Sequence, residues 1–159
     1  MRPSRNRTLM ESAHLWAQRS TCSRLRVGAV FAKEGRILVT GYNGAPAGLP
    51  HCNHDCTCTD TLAHHEGCPA IGPCKTAVHA EQNGVAYAAR WGIKLESSSL
   101  FVTHTPCLSC AMSIINAGVE EVFFEELFRD TSGLDLLLSA EIKVVHTRVI
   151  KAIYERLEN

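Results

Sequence analysis

The sequence predicts an α/β fold of three layers, a central mixed sheet of about five strands with helices on both faces. Three observations lead there. A helix-period segment is followed by two closely spaced strand-like runs. Three helix-period segments then alternate with three more such runs, and a last amphipathic segment closes the chain. With 159 residues and neither an internal repeat nor a linker, the simplest organisation is one domain over 1–159.

Each element has its own signal. Leu9, Met10, Ala13, Trp16 and Ala17 fall at helical spacing within 9–20, with Thr8 as the expected N-cap and Glu11 completing a capping box. Val27-Gly28-Ala29-Val30-Phe31 and Ile37-Leu38-Val39-Thr40 read as strands joined by a Lys33-Glu34-Gly35-Arg36 hairpin turn, in which Gly35 can take positive φ. Residues 79–91 return to helical spacing and stop at Gly92, and 100–103 read as a buried strand. A helix over 107–117 ends at Gly118, with a strand over 121–124 after it. Helix 133–140, strand 142–145 and helix 149–157 complete the order.

Residues 41–78 carry no sustained period and are rich in Gly, Pro, His and Cys. A structureless connection of that length is uncommon in a compact domain. It is expected to be functional or to be ordered by a ligand, with 53–73 as a Cys/His-rich insertion.

Composition narrows the partners. Sixteen basic residues balance sixteen acidic ones, which disfavours a polynucleotide partner but leaves room for a small anionic substrate. No apolar run approaches the roughly 20 residues of a membrane span. Arg2, Arg5 and Arg7 are not followed by an apolar signal core, so a cytoplasmic location is expected. In that reducing setting the eight cysteines point to metal binding rather than disulfides.

The chemistry concentrates in His79-Ala80-Glu81 and Pro106-Cys107-Leu108-Ser109-Cys110. One imidazole and two thiolates give zinc three ligands and leave the fourth position for water, as in catalytic sites. Both ligand segments open helices, whose partial positive charge and orphan N–H groups favour thiolate over thiol. Pro106 suits the turn into the second helix. Zinc would lower the pKa of its water from about 16 to about 7. The pattern matches the H-x-E…P-C-x-x-C signature of zinc-dependent nucleobase deaminases, which implies that Glu81 would take the water proton, pass it to the pyrimidine ring nitrogen, and return a proton to the departing amine as hydroxide attacks C4. Such acid–base work contributes roughly 10²–10⁴-fold. A structural zinc closed by Glu81 or by a loop residue is the competing interpretation.

The spacing is that of the zinc-dependent nucleobase deaminases, and the chain resembles the cytidine deaminase superfamily, within it the deoxycytidylate (dCMP) deaminase family. The resemblance rests on Ser20-Thr21-Cys22-Ser23-Arg24-Leu25-Arg26-Val27-Gly28-Ala29-Val30, on Thr40-Gly41-Tyr42-Asn43-Gly44-Ala45-Pro46-Ala47-Gly48, on His79-Ala80-Glu81-Gln82-Asn83 and on Thr105-Pro106-Cys107-Leu108-Ser109-Cys110. It implies the cytidine-deaminase-like form of the three-layer fold and hydrolysis of dCMP to dUMP and ammonia, feeding thymidylate synthesis. Candidate substrate contacts are Arg26, Asn43 and Ala80. Arg26 could grip phosphate, or be a solvated strand-edge charge; Asn43 could meet a sugar hydroxyl or base edge, or be a turn residue. Tyr42 is as fit for packing as for contact.

The resemblance further implies a homo-oligomer, with a hexamer suspected, and allosteric control by dCTP and dTTP through the region of Gly44 and Phe128-Arg129-Asp130, where packing is the simpler role for Phe128. Some relatives carry a second, structural zinc, for which Cys22, Cys52 and Cys74 are candidates here. The chain departs from the pattern at Thr76, where some members have Arg, and at Gly84, where Ala is common; close packing or ligand approach would explain that glycine. The alternatives are a zinc deaminase of another cytosine or nucleoside substrate and a non-catalytic, zinc-stabilised nucleotide-binding module.

Overall fold

The structure, a computed structural model, describes residues 2–22, 25–49, 51 and 77–148. The elements run α1 (Arg5–Ala17), β1 (Gly28–Lys33), β2 (Arg36–Tyr42), α2 (Ala80–Trp91), β3 (Ser99–His104), α3 (Leu108–Asn116), β4 (Glu121–Glu126), α4 (Ser132–Ser139) and β5 (Lys143–His146). The expected closing helix and the 53–73 loop lie outside the described residues.

The strands form one mixed sheet in the order β2-β1-β3-β4-β5. β1 runs antiparallel to both β2 and β3, whereas β3, β4 and β5 are parallel. The β1–β2 connection is a tight hairpin: Lys33 pairs with Arg36, and Glu34 and Gly35 turn the chain at φ 52° and 77°. Two successive positive φ values match the right-handed twist of the flanking strands.

Side-chain alternation along the sheet separates two cores. Leu9, Met10 and Ala13 of α1 pack on Val30, Ala32, Phe101 and Phe123. On the opposite face Ala88 of α2, Ala111 and Ile114 of α3 and Leu137 of α4 cover Phe31, Leu100, Val102, Val122 and Phe124. This is the three-layer α/β/α arrangement. Each large side chain so buried contributes about 1.5–3 kcal/mol, and the adjacent strands β3 and β4 carry three of them each: Leu100, Phe101 and Val102, and Val122, Phe123 and Phe124.

One expected detail is corrected. The N-cap of α1 is Ser4, whose hydroxyl accepts the Arg7 N–H at 3.2 Å. Thr8 lies inside the helix with its hydroxyl donating to the Ser4 carbonyl, and Glu11 pairs with Arg7 at 2.8 Å instead of closing a capping box. The helix starts early because its first turn is polar and solvated, so apolar periodicity does not reveal it.

The topology brings the first residue of β1, the last of β2 and the last of β3 to one edge of the sheet, since Gly28 pairs with Tyr42 and Ala29 with Val102. α3 begins just past β3. α2 is drawn to the same edge by Gly41 of β2, which lies so close to the Ala80 carbonyl that any side chain there would collide with it. Among the described residues, no helix is long and apolar enough to cross a membrane.

Candidate active site

Two helix starts hold the metal-binding residues. His79 is the N-cap of α2 and Cys107 that of α3, both with extended backbone, and neither side chain makes the usual capping hydrogen bond. A Ser or Asp at such a position would add about 1 kcal/mol of capping. Here the imidazole and thiol turn instead toward each other, and Cys110 from the first turn of α3 joins them. His79 Nδ1 lies 3.4 Å from Cys107 Sγ and 3.5 Å from Cys110 Sγ. Zinc bonds of about 2.3 Å to sulfur and 2.0 Å to nitrogen at tetrahedral angles separate such atoms by about 3.5 Å. The three side chains fit the ion as they stand, and among the described residues they are the group of three with metal-ligand spacing.

Their protonation fits as well. Cys107 is held as a thiolate, its pKa brought down to about 3, first by the hydrogen bond from the Cys110 thiol and, against the effect of burial, by His79, Ser109 and the Cys110 backbone N–H. The Cys110 thiol is pushed up by that same shared bond, then by burial and the nearby Glu81 charge. The two sulfurs share one proton, whose place a divalent cation would take, because thiolate is the binding form.

Glu81 is 4% exposed, in the first turn of α2. Burial raises its carboxyl to about 7, against its own backbone N–H and the neighbouring His79 charge. A carboxylate buried without a cationic partner is costly, and at this pKa the group can hold or release a proton near neutral pH. It lines a cleft together with Cys22, Leu25, Val27, Asn43, His104, Thr105 and Phe128. Ala77, His79, Ala80 and Cys107 complete it.

The expected substrate contacts divide. Ala80 lines the cleft and, as the first residue of α2, offers a helix-terminal N–H. Asn43 also lines it, yet its amide is largely committed to the chain: Oδ1 accepts from Ser20 Oγ at 2.7 Å and from Val27 N–H at 2.8 Å, and Nδ2 donates to the Leu25 carbonyl at 2.8 Å. One Nδ2 hydrogen remains. Arg26 is exposed, between cleft-lining Leu25 and Val27, and does not itself line the cleft.

Other expectations resolve by packing. Tyr42 stacks on Trp16 with centroids 6.3 Å apart, while its carbonyl accepts from Asn83 Nδ2 at 2.9 Å. Gly44 pairs with Val78 in an antiparallel bridge that leads the chain into His79. Phe128 is half-buried and lines the cleft, and its N–H donates to Thr105 Oγ1 at 2.7 Å. Of the second-zinc candidates Cys22 is buried at the cleft, and Cys52 and Cys74 lie outside the described residues. Sequence reasoning missed His104, Thr105, Leu25 and Val27. Leu25 and Val27 lie within a family-like block and Thr105 and His104 just before Cys107, but nothing in the residue types themselves marked them as cleft-lining.

Comparison with known proteins agrees with this geometry. Residues 3–126 match the cytidine and deoxycytidylate deaminase zinc-binding region. ComE operon protein 2 of Bacillus subtilis is 37% identical over 129 residues, covering 80% of this chain, which spans 62% of that protein. The deoxycytidylate deaminase of Enterobacteria phage T2 is 31% identical over 167 residues, covering 86% of this chain and 89% of the phage protein. The crystal structure of dCMP deaminase from the cyanophage S-TIM5 in complex with dCMP and dUMP superposes with a TM-score of 0.76 at 32% identity, over 91% of this chain and 97% of that one.

Proposed function

The chain belongs to the cytidine and deoxycytidylate deaminase family, and from that premise we propose that it hydrolyses dCMP to dUMP and ammonia. The observation that carries the proposal is the buried Glu81 carboxyl in one cleft with the His79, Cys107 and Cys110 cluster. The S-TIM5 enzyme, whose complex holds dCMP and dUMP, supports the nucleotide as substrate.

His79, Cys107 and Cys110 would hold a zinc ion. When bound, zinc supplies a water acidic enough to act as nucleophile at neutral pH. Glu81 moves the protons. Its carboxylate takes one from the attacking water and delivers it to N3 of the pyrimidine, which makes C4 electrophilic. It then carries a proton to the exocyclic amine, which leaves as ammonia while C4 keeps the water oxygen. Burial suits this shuttle, because a carboxyl with its proton affinity near neutrality can both accept and return. The Ala80 N–H and the remaining Nδ2–H of Asn43 orient the nucleotide, and Arg26 stands beside the cleft for its phosphate.

An ammonia-release panel over dCMP, CMP, deoxycytidine, cytosine and dCTP tests the reading. Turnover of dCMP should far exceed that of deoxycytidine; equal rates would mean that the phosphate is not read. Repeating the panel with added dCTP and dTTP, and weighing the native enzyme, tests nucleotide control and homo-oligomerisation, which belong to the same proposal.

A further inference from the structure

The cleft contains a second imidazole that the reaction above does not use. His104 ends β3, and alternation along that strand puts it on the same sheet face as Leu100 and Val102, the face that carries α2 and α3. It is half-buried and lines the cleft with Glu81, Val27, Thr105 and Phe128. Its Nδ1 lies 3.0 Å from the hydroxyl of Thr103.

That hydroxyl decides the tautomer. Thr103 is 1% exposed, so both its hydrogen and its lone pairs need partners inside the protein. Its oxygen accepts the Gly28 N–H at 3.3 Å. Among the described residues, His104 Nδ1 is then the acceptor for its hydrogen. An Nδ1 that accepts leaves the ring hydrogen on Nε2.

The surrounding charges are already engaged. Glu126, opposite His104 in the parallel ladder, pairs with Arg148. His14 pairs with Glu125 at 2.8 Å. Burial holds the His104 pKa below its ordinary value, with His14 and Arg148 acting the same way against Glu126, so the ring is neutral. No described residue takes up its Nε2 hydrogen.

We infer that His104 is a substrate-positioning contact, a neutral imidazole locked by Thr103 into the Nε2–H form that donates a hydrogen bond to an acceptor oxygen of the bound nucleotide. The inference rests on the nucleotide reading of this cleft and adds to it a specificity residue outside the zinc motif.

Steady-state kinetics of the zinc-loaded full chain test it together with ¹⁵N NMR of its histidines. His104→Asn, whose amide reaches only the Nδ1 position, should raise KM for dCMP about 3- to 10-fold, the worth of a neutral hydrogen bond, with kcat and zinc content nearly unchanged. His104→Gln places a donor where Nε2 stood and should recover most of that loss. Equal behaviour of the two variants would reduce His104 to packing and overturn the inference. In the ligand-free protein at neutral pH the ring should show a protonated Nε2 and a bare Nδ1, and Thr103→Val should mix the tautomers; an Nδ1–H form in the unaltered protein refutes the lock. Comparing dCMP with deoxycytidine locates the acceptor, a loss confined to dCMP meaning phosphate and an equal loss meaning sugar or base. If the unaltered chain converts another member of the panel and not dCMP, the functional reading fails. The Gln and Asn variants, assayed on that member, still decide the role of His104.

Discussion

Gly84 of α2 lies against the ring of Phe31 in β1, so close that a Cβ on it would stand 2.5 Å from Cε2. The glycine, where the resemblance led to an expectation of Ala, is therefore a matter of packing. A glycine in a helix costs about 1 kcal/mol relative to alanine, and here it lets the helix bearing His79 and Glu81 rest directly on the sheet. Gly84→Ala should destabilise the protein by about 1–3 kcal/mol despite its better helix propensity, because overpacking outweighs it. Pairing it with Phe31→Leu should recover part of the loss, which denaturant midpoints of the single and double variants will show.

Glu81→Gln keeps size and polarity but cannot take a proton from water. Ammonia release from dCMP should fall by at least about 10²–10⁴-fold, with zinc content unchanged by elemental analysis. Turnover near the unaltered level would remove Glu81 from the proposed shuttle.

Cys110→Ser replaces a buried thiol by a poor zinc ligand at the one fully enclosed corner of the cluster. The variant should fold, as judged by circular dichroism, yet lose its metal on dialysis and release no ammonia. A stoichiometric metal content after dialysis would show that the ion sits elsewhere.

Asn43 holds Ser20, Leu25 and Val27 through three side-chain hydrogen bonds. Asn43→Ala leaves those partners unsatisfied and should cost about 1–3 kcal/mol of stability. Asn43→Asp retains the acceptor for Ser20 and Val27 but turns an oxygen toward the Leu25 carbonyl. It should fall between the two in stability and show a raised KM for dCMP.

Across the sheet, Glu121 accepts from Ser99 Oγ at 2.8 Å and pairs with Lys143 at 2.6 Å, three residues in register on β3, β4 and β5. Lys143 is the chief cause of its lowered pKa. A carboxyl depressed in the folded state stabilises above its unfolded pKa of about 4.3, and that contribution disappears as pH falls through the lower folded value. The pair is solvent-facing, so its worth is about 0.5 kcal/mol. Glu121→Gln should lower Tm slightly at pH 7 and make no difference near pH 2.

Much of this architecture was legible from periodicity. The strands are runs of Val, Phe, Leu and Ile with clear breaks, and Gly92 and Gly118 end α2 and α3 at φ 64° and 76°, as their stop signals imply. The metal cluster was legible because its ligands are rare residue types at helix starts. Ser4 as a cap was not, since nothing apolar marks the first turn of α1. His104 and Thr105 were hidden for a different reason: a cleft wall is assembled from strand ends and turns that only the folded sheet brings together. Asn43 shows the remaining gap, because its identity suggested a ligand contact and its amide proves to be mostly structural.

The imidazole and thiols that meet at the cleft come from positions 28 and 31 residues apart. An ion held by them is therefore also a cross-link, closing a loop that contains α2 and the central strand β3. By the chain-entropy estimate for covalent bridges, closure of such a loop restrains the unfolded chain by about 3.5 kcal/mol. That is a large fraction of the 5–15 kcal/mol by which domains are typically stable. Metal starvation would thus do more than idle the enzyme. It would enlarge the unfolded population exposed to proteases, so the amount of this protein in a cell should follow the zinc supply.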